Sequence, residues 1–227
     1  MEASRPSMPS RSRTTPVIPT VTSPDHPMAI RSEYMTSQDT MIKIRELDNN
    51  VHTRDFVITD DDSTLMQISG RTISRNLKRE FTDATGLPLF ELRRNPSQKQ
   101  AGEWSVSLPG ADDGNDVLWI NFKMFFVHTR FDIKFRNLAP PSTDQTQSYQ
   151  DAVALEVRGQ DLSNLVAYVT YNNKRIMHVR REGDESGTRA AYKHAYGYRT
   201  QWEVMVAAGV DVSLAAIIVI ILAEQRG

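Results

Sequence analysis

Short runs of alternating apolar and polar residues fill most of this chain from residue 41 onward. Ile42 and Ile44 alternate with Lys43 and Arg45, so the isoleucines share one face of a strand and the cations share the other. Strand-sized runs of the same kind follow at residues 56–59, 65–68, 79–82, 89–92, 104–108, 117–122, 131–135, 153–157, 165–171, 175–179 and 202–207. Turn-forming residues separate several of them: Asp60, Asp61, Asp62 and Ser63; Asp83, Ala84, Thr85 and Gly86; Asn172 and Asn173. Asn tolerates the positive φ that tight hairpin turns need. The pattern predicts roughly ten to twelve strands in hairpins, the signature of a sandwich or a barrel. Polar gaps at 96–102, 109–116, 137–150 and 182–197 read as loops on one domain.

The last element is different. A strand-like run from Trp202 stops at Gly209, and residues 212–223 are then apolar on every face of a helix. Twelve residues or so reach about 18 Å at about 1.5 Å each, too short for a bilayer core of about 30 Å. A helix this apolar belongs inside something. A closed barrel of this many strands is wide enough to hold it and has no exposed edges. Asp211 stands where it can cap the helix by accepting from the amide of Ser213 or Leu214. Leu214, Ile217, Ile218, Ile220 and Ile221 are the expected core-facing residues of that helix.

Composition changes the picture at the N-terminus. Residues 1 to about 36 are rich in Ser, Thr, Pro and Arg and hold Pro6, Pro9, Pro16, Pro19, Pro24 and Pro27, which reads as a disordered tail before a domain at 37–227. The 227 residues carry a net charge of -1, which gives no electrostatic footprint for nucleic acid. The absence of cysteine excludes disulfides, thiolate metal sites and palmitoylation, and fits a cytoplasmic protein, peripheral at membranes if it binds them.

Candidate chemistry is sparse. No G-x-S-x-G elbow, P-loop, dinucleotide fingerprint or H-E-x-x-H is present, so the chain reads as non-enzymatic and without a cofactor. His26, His52, His128, His178 and His194 are scattered and read as surface or loop residues. The acidic runs 60–62 and 112–116 lack calcium-loop spacing and read as turns. Trp104, Trp119 and Trp202 fall in strands, where packing in the core or rim is expected. Basic residues form the one candidate binding set. Lys43 and Arg45 share a strand face, and Arg71, Arg75, Lys78 and Arg79 cluster after Gly70. Such cations would hold a phosphorylated headgroup through charge-assisted hydrogen bonds.

Several segments carry a resemblance to a known family. They are Asp55 to Asp60, Met66 to Gly70, the hairpin from Ser74 to Leu92, and above all Trp202-Glu203-Val204-Met205-Val206-Ala207-Ala208-Gly209-Val210-Asp211 leading into the apolar helix. Together they resemble the LURP-one-related family of the tubby C-terminal-like superfamily, which also includes the phospholipid scramblases. The resemblance covers about residues 38–225 and implies a mainly β fold, a closed antiparallel barrel of about twelve strands around a buried C-terminal helix. The stretches 123–150 and 182–197 are longer than the family pattern. Tubby proteins bind phosphoinositides through basic residues on the barrel. The function this implies is a signalling module that docks on phosphoinositide-containing membranes or on a protein partner. The alternative is a scramblase-like or tail-anchored membrane protein that uses the apolar helix.

Overall fold

A computed structural model describes residues 20–47, 54–61, 63–70, 77–95, 104–110, 115–123, 129–140, 152–160, 166–182 and 200–225. Twelve strands form one closed barrel. In chain order they are β1 (Thr40–Glu46), β2 (Phe56–Asp60), β3 (Ser63–Gly70), β4 (Arg79–Asp83), β5 (Pro88–Arg94), β6 (Trp104–Ser107), β7 (Asp116–Lys123), β8 (Arg130–Arg136), β9 (Ala152–Gly159), β10 (Val166–Tyr171), β11 (Lys174–Glu182) and β12 (Gln201–Val206). Each pairs antiparallel with its neighbours in sequence, and β12 closes the ring against β1, with Ile44 opposite Trp202 and Ile42 opposite Val204. Every strand run expected from the alternation is present.

The alternation decides which way each side chain points. On β8, Phe131, Ile133 and Phe135 are fully buried while Lys134 and Arg136 face out. Asn172 and Asn173 both adopt positive φ (48° and 62°) in the turn between β10 and β11, as that turn chemistry predicts.

The C-terminal helix, α1 (Val212–Glu224), fills the ring. Leu214, Ala215, Ala216, Ile217, Ile218, Val219, Ile220 and Ile221 are each 0% exposed, so no face of the helix meets solvent. A twelve-stranded ring is too wide for its own side chains to fill. The helix supplies the missing layer, and each fully buried Ile or Leu contributes about 1.5–3 kcal/mol. Gly209 turns the chain from β12 into the helix at φ +83°, a left-handed conformation that suits glycine. Asp211 then caps the helix as expected: its Oδ1 accepts from the Ser213 amide (2.7 Å) and hydroxyl (2.6 Å).

The structure corrects the N-terminal boundary. Residues 20–36, expected in the tail, form a strap across the barrel end where α1 begins. Met28, Ala29 and Ile30 are at most 1% exposed. The Met28 amide donates to the Gly209 carbonyl (2.9 Å) and the Asp211 amide to the Met28 carbonyl (2.9 Å). Thr22 donates to the Arg175 carbonyl, and Lys174 pairs with Asp25. Pro24 and Pro27 suit an extended strap, because they hold φ and need no amide partner. Residues 1–19 lie outside the described residues.

Candidate functional site

The basic set read from the sequence does not converge. Lys43 and Arg45 face out from β1, opposite Glu203 and Gln201 of β12. Arg71 and Arg75 lie outside the described residues. Lys78 is half-buried before β4 and holds Glu80 and Glu91, each at 2.9 Å, and these contacts raise its pKa. Two strands, β2 and β3, separate it from β1.

Arg79 is a correction to the set. It is 0% exposed and points into the barrel end where α1 finishes. Its guanidinium donates to Glu224 Oε1 (2.5 Å) and to the Arg54 carbonyl (3.0 Å). Gly70 makes room for it: a Cβ there would sit 2.4 Å from the Lys78 carbonyl oxygen and 2.7 Å from Arg79 Cδ. Arg54 in turn pairs with Glu46 (3.0 Å) and reaches the Ala223 carbonyl (3.4 Å). Two guanidinium groups thus stand at the negative end of the helix dipole. The arrangement locks the helix in place and offers no cation to a surface ligand.

Asp211 is the second buried charge. Besides capping the helix, its Oδ2 accepts from the amides of Ile30 (3.0 Å) and Arg31 (2.8 Å) and so ties the strap to the helix. Burial pushes its pKa up to about 6, against the pull of these hydrogen bonds. His178 shifts the other way. Expected on a surface or in a loop, it is only 8% exposed on β11, its ring 5.0 Å from that of Tyr168. Burial, with Arg175 and Arg180 nearby, lowers its pKa to about 4.

These two shifts oppose each other. Asp211 has a raised folded pKa, so its contribution to stability is present below about pH 4 and is lost as pH rises through about 6. His178 has a depressed folded pKa, so its contribution is present above about pH 6.5 and is lost as pH falls toward 4. In urea titrations, His178→Gln is expected to gain about 1 kcal/mol between pH 7 and pH 5 from Asp211 alone. Adding Asp211→Asn should erase that gain. A His178→Gln protein whose stability falls over this interval would refute the assignment to Asp211.

Among the described residues no group of three or more His, Asp or Glu side chains stands close enough to hold a metal ion. A family model for LURP-one-related proteins matches residues 40–223, from the first strand to the last turn of the helix. The chain belongs to the LURP-one-related family. A crystal structure of a protein from Arabidopsis thaliana is similar in fold, with a TM-score of 0.53 and 17% identity over 87% of this chain and 98% of that one. No curated protein matches the sequence.

The outer wall of this LURP-one-related barrel is uneven in charge. The half of β7–β9 away from the strap neutralises itself: Lys123 pairs with Asp132 (2.6 Å), and Arg130 and Arg158 both pair with Glu156. The half toward the strap holds Lys134 and Arg136. Trp104 and Trp202 are buried as expected at 2% exposure, but Trp119 is 43% exposed and points outward opposite Lys134. Neither Lys134 nor Arg136 entered the basic set, although their alternation with Ile133 and Phe135 is the same signal that marked Lys43 and Arg45.

Proposed function

We propose that this chain is a non-enzymatic, tubby-like binding module whose target is a phosphoinositide-containing membrane. The filled interior carries the reading. Eight consecutive helix residues with no exposure occupy the space where a barrel of this size would otherwise hold a ligand, so recognition falls to the outer wall. That wall carries the outward cations Lys134 and Arg136 on β8, and cations at a sheet surface suit anionic headgroups. The alternative, a scramblase-like or tail-anchored protein, needs the helix outside the barrel. Its burial on every face counts against that, and among the described residues no helix is long and apolar enough to cross a membrane.

Flotation of the full chain with phosphatidylcholine vesicles, with and without phosphatidylinositol bisphosphate, tests the reading. The expected result is lipid-dependent flotation that weakens several-fold between low and physiological salt, because exposed charges are screened. A folded chain that stays at the bottom of the gradient at low salt would remove the membrane reading and leave a protein partner as the target.

A further inference from the structure

The strap-side end of β7 and β8 brings together features that do not share a stretch of sequence. Lys134, Arg136 and Leu138 follow one another at alternate positions and face outward along β8 and its exit. Trp119 stands directly across from Lys134 on β7, at the few-ångström spacing of a cross-strand pair, about 5 Å. On the other side of β8, Lys134 faces Ala154 and Arg136 faces Ala152, which are small and exposed. Lys134 and Arg136 have no carboxylate partner among the described residues. Trp119 (43% exposed) and Leu138 (42%) are two of the three large apolar side chains left exposed among the described residues.

The strap holds this corner in shape. The Leu138 amide donates to the Ala29 carbonyl (2.7 Å). The Asn137 side chain accepts from the Ala29 amide (3.0 Å) and donates to the Pro27 carbonyl (2.9 Å). With its backbone pinned on both sides, Leu138 stays on the surface and does not fold back onto the core. The third exposed apolar residue, Leu87 (62% exposed), sits on the turn after β4 at the same barrel end, where Arg31 of the strap reaches the Leu89 carbonyl.

The geometry points to this corner as the membrane-facing surface, with Trp119 and Leu138 entering the headgroup region of an anionic bilayer and Lys134 and Arg136 holding its phosphates. The occupant follows from the chemistry. An exposed Trp and Leu beside two cations with no carboxylate partner among the described residues match an interface that is apolar below and negative above, where Trp is favoured and each basic residue contributes to binding. The inference rests on the membrane reading above and adds which face makes contact. It also assigns the contact to β7–β8 and not to the segment around Lys78 and Arg79.

Trp119 reports on its own position, because Trp104 and Trp202 are already buried. The full chain is mixed with phosphatidylcholine vesicles, alone or with phosphatidylserine or phosphatidylinositol bisphosphate, and tryptophan emission is followed together with quenching by brominated lipid. The expected result is a blue shift and quenching on anionic vesicles only, both lost in Trp119→Phe. Lys134→Ala with Arg136→Ala should lower partitioning about thirtyfold, at about 1 kcal/mol per basic residue. Lys43→Ala with Arg45→Ala should leave it unchanged. These side chains all point outward, so the variants fold, and a matching thermal melt checks that. Wild-type binding that survives the β8 substitutions but is lost with those on β1 would overturn the assignment and leave the membrane reading standing. No partitioning of the wild type onto any anionic vesicle would overturn both.

Discussion

Ile220→Asp yields a chain that does not fold. Ile220 is 0% exposed in the middle of α1, surrounded by the inward side chains of a closed ring. An isolated carboxylate there would lose its hydration and find no partner, and even in its neutral form it would cost several kcal/mol while removing the packing of the isoleucine. Net stabilities of whole domains are only about 5–15 kcal/mol. The ring also cannot collapse around the defect, because its diameter is set by twelve hydrogen-bonded strands. Ile217→Asp should behave the same way. Ile220→Val, which removes one methyl group, should cost only about 0.5–1.5 kcal/mol. Circular dichroism and thermal melting of the three variants decide the matter. An Ile220→Asp protein with an unchanged melting temperature would mean that the helix is not the core of the barrel.

Arg79→Met should cost about 3–5 kcal/mol, a drop in melting temperature on the order of 10 °C. The loss comes less from the missing ion pair than from the buried Glu224 it leaves uncompensated, whose side chain is 7% exposed. The Arg54 carbonyl loses its donor as well. The double variant Arg79→Met with Glu224→Leu should recover most of the stability, since apolar residues of similar volume often replace a buried pair without loss. A single Arg79→Met variant within about 1 kcal/mol of wild type would show that Glu224 reaches water, and that Arg79 is free for another role.

Local spacing in the sequence puts Arg79 on the wrong side of the barrel wall. Its neighbours Arg71, Arg75 and Lys78 make the segment look like one basic cluster. Its partner is 145 residues away, at the far end of the helix, and the space it needs depends on Gly70 lacking a side chain. Local spacing carries neither fact. The strap also depends on partners distant in the sequence. A segment rich in Ser and Pro has too little apolar surface to fold alone, yet this one borrows hydrogen-bond partners from Gly209, Asp211 and Asn137. Trp119 is a different case. Leu118 and Ile120 on either side point inward, so the alternation already turned Trp119 outward; the expectation that a tryptophan packs in the core or rim obscured it.

The strands, their turns, the apolar helix and its Asp211 cap were legible along the chain, because each depends on residues within a few positions of one another. Alternation sets the faces of a strand, Asn sets a tight turn, and a carboxylate two residues before a serine amide sets a cap. The burial of Arg79 against Glu224, the strap tied to Asp211, and the corner of Trp119, Lys134, Arg136 and Leu138 arose only when the ring closed. Closure brings residues into contact that lie far apart in the chain, and it decides which charges lose water and which keep it. The candidate membrane surface belongs to this second group, since it depends on two outward cations that find no carboxylate among the described residues, which is a property of their three-dimensional neighbours and not of their order.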